Sequence, residues 1–203
     1  MLLAGGRGTR LGGRHKPGIA VGGRTLLDRA LDAVSDAAEV VVVGPERPTG
    51  RPVCWTVEQP RGGGPVAALA AGLAAAPGEP DQVAVLAADL VGVTGDTVHR
   101  LRVALAEDPT VDGAVLRDAA GHRQWLIGVW RHDALSAALP GDPAGRSLRS
   151  VLGPLSVTEV PELPGESDDV DTPADLARFL AGTSDGPVTG GASTGDASQP
   201  SHW

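Results

Sequence analysis

Met1-Leu2-Leu3-Ala4-Gly5-Gly6-Arg7-Gly8-Thr9-Arg10-Leu11-Gly12-Gly13-Arg14-His15-Lys16-Pro17, followed by Gly22-Gly23-Arg24-Thr25 and a helical pattern, is the stretch around which the chain is organised. Apolar residues run into eight glycines between Gly5 and Gly23, and the loop carries Arg7, Arg10, Arg14, Lys16 and Arg24. Glycine has no Cβ, so consecutive backbone amides can converge on an anion and approach it closely. Arginine adds a planar fork and lysine a point charge, the two ways side chains neutralise phosphate. The pattern predicts a phosphate cradle between a first strand and a first helix.

Two better-known phosphate loops do not fit. A P-loop needs Gly directly before its Lys and Ser or Thr after it, whereas His15-Lys16-Pro17 has neither. The dinucleotide fingerprint starts at Gly6-Arg7-Gly8 and then meets Leu11 where it requires glycine. A flexible surface turn is the bland alternative in a chain with 29 glycines. Charge weighs against it. The first 29 residues hold six Lys+Arg and one acidic residue, Asp28, a balance of +5 in a chain of net −8, so the remainder carries −13. A basic pocket on an acidic protein suits a small anion better than a nucleic-acid surface, which shows a broad basic face. Lys16 is the one lysine beside sixteen arginines, which suggests that a compact ammonium is wanted there, with chance retention as the alternative.

At 203 residues the chain has the size of one domain, which buries roughly 70% of its unfolded surface. Aromatic residues are 2%, too few for the stacking platforms of single-strand binding. Cys54 is alone, so there is no disulfide framework and no cluster of soft metal ligands. It lies in Val53-Cys54-Trp55-Thr56-Val57 and is expected to be a buried strand residue rather than a reactive thiol. No run approaches the roughly twenty apolar residues of a membrane span, and no signal peptide is recognisable. A cytoplasmic protein without membrane or nucleic-acid partners, monomeric or weakly oligomeric, is expected.

Met1 to Ala4 is short for a central strand, so that strand is expected to be clipped or to start upstream. Thr25 is a plausible N-cap for a helix to Ala38, with Leu26, Leu27, Ala30, Leu31 and Val34 at helical spacing. Val40 to Val43 reads as a strand buried on both faces and Val53 to Val57 as a third strand, ending at Glu58. Gly62-Gly63-Gly64-Pro65 opens an alanine-rich helix with proline in its first turn, whose free amides would point beyond the strand ends; packing alone is the alternative. Val83 to Ala88 is another buried parallel strand and runs straight into Asp89. A carboxylate at the carboxyl end of a central strand sits where open α/β sheets bind ligands, and Mg²⁺ is typically held by one or two carboxylates plus phosphate oxygens. A helix cap is the alternative role, yet Thr94 or Asp96 already caps the helix through Ala106. Gly113 to Arg117 and Arg123 to Arg131 read as strands around a turn, with Trp125, Ile127 and Val129 on one core face and His122 and Arg123 as candidates for substrate contact. Short helices are expected at Asp133 to Leu139 and Ser147 to Leu152, and a last strand at Leu155 to Val160. Asp171-Thr172-Pro173-Ala174-Asp175 starts a closing helix. The domain is expected over residues 1–181, and residues 182–203, rich in Gly, Ser, Thr, Asp and Pro, are expected to be a disordered tail.

Leu3-Ala4-Gly5-Gly6-Arg7-Gly8-Thr9-Arg10-Leu11-Gly12-Gly13 followed by Lys16-Pro17 resembles the opening motif of the MobA-like nucleotidyltransferases, whose type member is the molybdenum cofactor guanylyltransferase. The resemblance covers roughly residues 1–180. It implies a single three-layer, Rossmann-like α/β domain with a mostly parallel sheet. It also implies Mg²⁺-dependent transfer of a nucleoside monophosphate, GMP from GTP for the type member, onto a phosphorylated acceptor, there molybdopterin. The implied nucleotide contacts are Leu3, Ala4, Gly5, Gly6, Arg7, Gly8, Lys16, Glu58, Gly64, Pro65 and Asp89. Arg10, Lys16 and Asp89 would be the catalytic groups, Asp89 the metal ligand, Asp171 a further one, and Glu58 a weaker guanine contact. The family's Asp-x-Pro becomes Asp89-Leu90-Val91 here, without the proline. A cytidylyltransferase, a guanylyltransferase for another acceptor and a catalytically weak nucleotide-binding module are the alternatives; a dehydrogenase is disfavoured by Leu11.

Overall fold

The computed structural model describes residues 1–5, 18–21, 23–169, 175 and 179. Its main sheet has seven strands: β1 (Leu2–Leu3), β4 (Val41–Val43), β5 (Cys54–Thr56), β6 (Gln82–Ala87), β7 (Gly113–Arg117), β8 (Arg123–Arg131) and β9 (Val157–Pro161), in the order β5-β4-β1-β6-β8-β7-β9. All are parallel except β8, which runs against both β6 and β7. Strands β2 (Ala20–Val21) and β3 (Arg24–Thr25) form a separate small hairpin at the exit of the glycine-rich stretch. The residue pattern carries no sign of this hairpin.

The helices form the outer layers. On one face α1 (Leu26–Ala33) and α3 (Gly95–Glu107) cover Leu2, Val42, Leu86, Ala114 and Ile127. On the other, α2 (Pro65–Ala74), α4 (His132–Ala138) and α5 (Leu148–Leu152) cover Leu3, Val43, Val85, Val115 and Trp130. Adjacent residues of one strand thus feed opposite cores, as alternation on a two-sided sheet requires. Burying such a side chain stabilises by about 1.5–3 kcal/mol. Helix starts follow the expected chemistry: Thr25 caps α1 by accepting from the Asp28 N–H at 3.0 Å, Pro65 opens α2, and Thr94 and Thr97 form a capping box on α3. α2 also packs close. A Cβ on its Gly72 would lie 2.5 Å from Met1 Sδ and 2.9 Å from Val43.

Two expectations are corrected. Cys54 is exposed, because β5 is the edge strand of the sheet, and its thiol donates only to Ala75 O at 3.6 Å. Trp125 does not share a face with Ile127 and Val129. An irregularity opposite Val115 and Leu116 shifts the β7–β8 register, so Trp125 packs in the other core, stacked 6.3 Å from Trp130. The closing helix start at Asp171 and the 182–203 tail lie outside the described residues.

Among the described residues the buried polar side chains are Thr97 and Glu166. Burial opposes ionisation of Glu166, but Arg100, Thr97 and the Leu163 N–H together outweigh it and hold the carboxyl below its ordinary value. A depressed carboxyl stabilises the fold above the ordinary value of 4.5 and loses that contribution as pH falls through the lower folded value. Thermal unfolding between pH 6 and pH 3 should therefore show a shallower acid decline of Tm in Glu166→Gln than in the wild-type chain, on a lower starting Tm.

Candidate functional site

The site is built on the carboxyl edge of the central strands. β1 is held on both sides: Ala4 N–H donates to Val43 O at 2.8 Å and Ala88 N–H to Leu3 O at 3.0 Å. Ala4 and Gly5 therefore leave the sheet between Gly44 on one side and Ala88–Asp89 on the other. Gly44 has to be glycine here, since a Cβ would come within 2.9 Å of the Ala4 carbonyl group. Leu3 and Ala4 are buried, Gly5 is exposed, and Asp89 is half-buried one residue past the last β1–β6 bond.

Glu58 follows β5 and meets the same edge from the side. A Cβ on Gly5 would lie 3.9 Å from its Oε2, so the carboxylate faces the start of the glycine stretch. Its Oε1 accepts from the Gly62 N–H at 2.9 Å, which folds the turn leading to Gly64 and Pro65. Gly64 takes φ 91° at the N-cap of α2, and the first-turn amides of that helix have no partners within it. They offer positive potential at the strand ends. Gly145 N–H donates to Gly63 O at 2.8 Å, tying the loop that carries Arg146 to this turn.

The structure adds a residue that the sequence pattern did not single out. Arg47, in the connection between β4 and β5, places its guanidinium against Gly18, where a Cβ would overlap Nη1. It therefore brings a cation to the exit of the glycine-rich stretch. The β7–β8 turn lies on the same edge, but its groups are engaged. His122 N–H donates to Asp118 Oδ1 at 2.7 Å and holds that carboxyl below its usual range, and Arg123 Nε donates to Glu159 Oε1 at 2.7 Å, with its guanidinium 5.6 Å from the Trp125 ring centre. Those bonds fix the His122 backbone in the turn and the Arg123 side chain on the sheet edge, and they leave the His122 imidazole exposed.

Of the sequence-derived site residues, Leu3, Ala4, Gly5, Glu58, Gly64, Pro65 and Asp89 fall on this edge; Gly6, Arg7, Gly8, Arg10, Lys16 and Asp171 lie outside the described residues. Among the described residues no group of three or more His, Cys, Asp or Glu is arranged to hold a metal ion. A single carboxylate at Asp89 suits Mg²⁺, which takes most of its oxygens from phosphates and water. A cavity of about 510 Å³ lined by Val34, Asp36, Val40, Val83 and Arg102 opens at the opposite, amino edge of the strands, away from all of these groups. No helix among the described residues is long and apolar enough to cross a membrane.

Residues 1–159 match the family model of the MobA-like NTP transferase domain. A molybdenum cofactor guanylyltransferase from Bradyrhizobium sp. (strain ORS 278) is 31% identical over 139 residues, 64% of this chain and 64% of that relative, so the match spans less than two thirds of the relative's length. The molybdopterin-guanine dinucleotide biosynthesis protein A of Archaeoglobus fulgidus superposes with a TM-score of 0.68 at 20% identity, over 90% of this chain and 97% of that one. The 2-C-methyl-D-erythritol 4-phosphate cytidylyltransferase of Thermus thermophilus does so with 0.67 at 23% identity, over 89% and 96%. At these identities the two structures speak for the fold alone.

Glu58 separates two roles by substitution. Glu58→Ala removes the bond to Gly62 and should cost about 1 kcal/mol, a fall in Tm of about 2–4 °C. Glu58→Gln keeps an acceptor oxygen and should unfold close to the wild-type temperature in the same calorimetric comparison.

Proposed function

This chain belongs to the MobA-like NTP transferase family, and we propose on that premise that it transfers GMP from GTP to a phosphorylated acceptor of the molybdopterin type, releasing pyrophosphate. The supporting observation is the shared strand edge, where Ala4 and Gly5 leaving β1, the carboxylate of Glu58 beside Gly5 and Asp89 after β6 meet. The relative named a molybdenum cofactor guanylyltransferase supports the choice of donor and acceptor.

In this reading an oxygen of the acceptor's phosphate attacks the α-phosphorus of GTP. A new P–O bond forms as the bond from the α-phosphorus to the β-bridging oxygen breaks, and pyrophosphate carries the electron pair away. The nucleophile is already anionic at neutral pH, so no general base is required and catalysis is positioning and charge neutralisation. The amides of Gly5 and Gly6 line the base and phosphates, with Leu3, Ala4, Arg7, Gly8, Gly64 and Pro65 completing the nucleotide contacts; the Ala4 N–H is itself committed to Val43 O. Arg10 and Lys16 neutralise the triphosphate. Glu58 accepts from the N1 and N2 edge of guanine, which adenine does not offer. Asp89, joined by Asp171, would hold Mg²⁺, which would supply positive charge to the triphosphate.

A cytidylyltransferase, a class whose Thermus member has the same fold with a TM-score of 0.67, is the second reading. Pyrophosphate release measured with molybdopterin and each of the four NTPs separates the two. The expected result is release with GTP, lowered by about 100-fold in Asp89→Asn. Release with CTP in place of GTP would assign the cytidylyl reading, and release with none of the four would overturn nucleotidyl transfer to a molybdopterin-type acceptor.

A further inference from the structure

Residues 162–169 leave the end of β9, at the far edge of the sheet, and run back along the carboxyl ends of the strands to the turn after β6. There Leu90 bridges Asp169 in antiparallel fashion and Val91 N–H donates to Asp168 O at 3.1 Å. Gly92 and Gly165 make the approach possible, since a Cβ on Gly92 would overlap the Gly165 carbonyl. The segment is thus laid against the turn that carries Asp89.

Its anchor is not hydrophobic. Leu163 is 50% exposed, and Glu166 is the one buried residue of 162–169. Glu166 receives both of its contacts with Arg100 Nη2 at 2.5 Å, a hydroxyl bond from Thr97 at 2.6 Å and the Leu163 N–H at 2.6 Å. Arg100 also donates to Pro161 O at 3.1 Å, where β9 ends. Thr97 and Arg100 stand on the first turns of α3, the helix that starts just after the Asp89 turn. A buried ion pair adds little net stability relative to well-packed apolar residues of the same volume, because desolvation offsets the attraction. What it supplies is one geometry: three directional bonds from α3 and one within the strap specify where this strap lies.

We propose that Glu166 and Arg100 are a positioning pair that clamps residues 162–169 to α3 and so holds the Asp89 turn in place at the nucleotide edge. This role rests on the nucleotidyl-transfer reading. Neither residue touches substrate; both act through Asp89.

The test combines amide hydrogen exchange with kinetics on the full chain. In Glu166→Gln, the Val91 and Leu163 amides should exchange at least tenfold faster, and kcat at saturating Mg²⁺ and NTP should fall about tenfold with KM for the acceptor within about twofold, the size usual when a supporting partner of a ligating carboxylate is lost. The double variant Arg100→Met, Glu166→Leu replaces the pair with apolar side chains and should fold, with kcat still low. It carries the test if the single variant does not fold. Wild-type exchange in Glu166→Gln, faster exchange with unchanged kcat, or full kcat in the apolar pair would each overturn the positioning role. Absence of pyrophosphate release from the wild-type chain marks instead the failure of the transfer reading, which takes the positioning role with it.

Discussion

Everything at the candidate site depends on the pairing of a two-residue strand. Leu2 and Leu3 are bonded in parallel to β4 on one side and β6 on the other, and the ladder ends at the same level on both. Because the three strands run the same way, their carboxyl ends open together, and the chain segments leaving them meet at one crevice. Ala4 and Gly5, where the glycine stretch begins, Gly44 and Asp89 are neighbours for that reason. Hydrophobic alternation then locks the arrangement, since a slip of one residue would exchange Leu2 and Leu3 between the two cores.

The edge gathers its polar groups from elements far apart in sequence, each brought by its own local device. Glu58 arrives because β5 ends beside β4, and it stays because the Gly62 amide holds one of its oxygens. Gly64 supplies a positive φ and Pro65 a preset one, so α2 starts abruptly with its amides toward the crevice. The strap from β9 closes the other flank through Glu166. Charge follows the same plan, with cations concentrated in the first thirty residues of an otherwise acidic chain, which favours a small polyanion at this edge over a broad polymer surface.

Much of this was legible in the residues themselves. Thr25, Pro65 and Thr94 or Asp96 mark helix starts, and the apolar runs at Val40 to Val43 and Gly113 to Arg117 read as strands, because capping and periodicity are local properties. What was not legible is non-local. Nothing around Cys54 tells that β5 is an edge strand, and the register shift that turns Trp125 over is set by its partner strand β7. Glu166 stands in a Gly- and Ser-bearing turn that reads as loop, and its meaning comes from Arg100, 66 residues earlier. Arg47 likewise gains its place only when the end of β4 meets Gly18. The small β2–β3 hairpin was missed because two-residue strands carry no periodicity.

Nucleotide binding at the β1–β6 edge is the central claim, and the most direct measurement is thermal unfolding of the full chain with GTP, CTP, ATP or UTP, with and without Mg²⁺. A nucleotide at about 100 times its dissociation constant adds about 2.7 kcal/mol. GTP should raise Tm by several degrees, Mg²⁺ should enlarge the shift, and the enlargement should disappear in Asp89→Asn. No shift with any of the four nucleotides would contradict the claim.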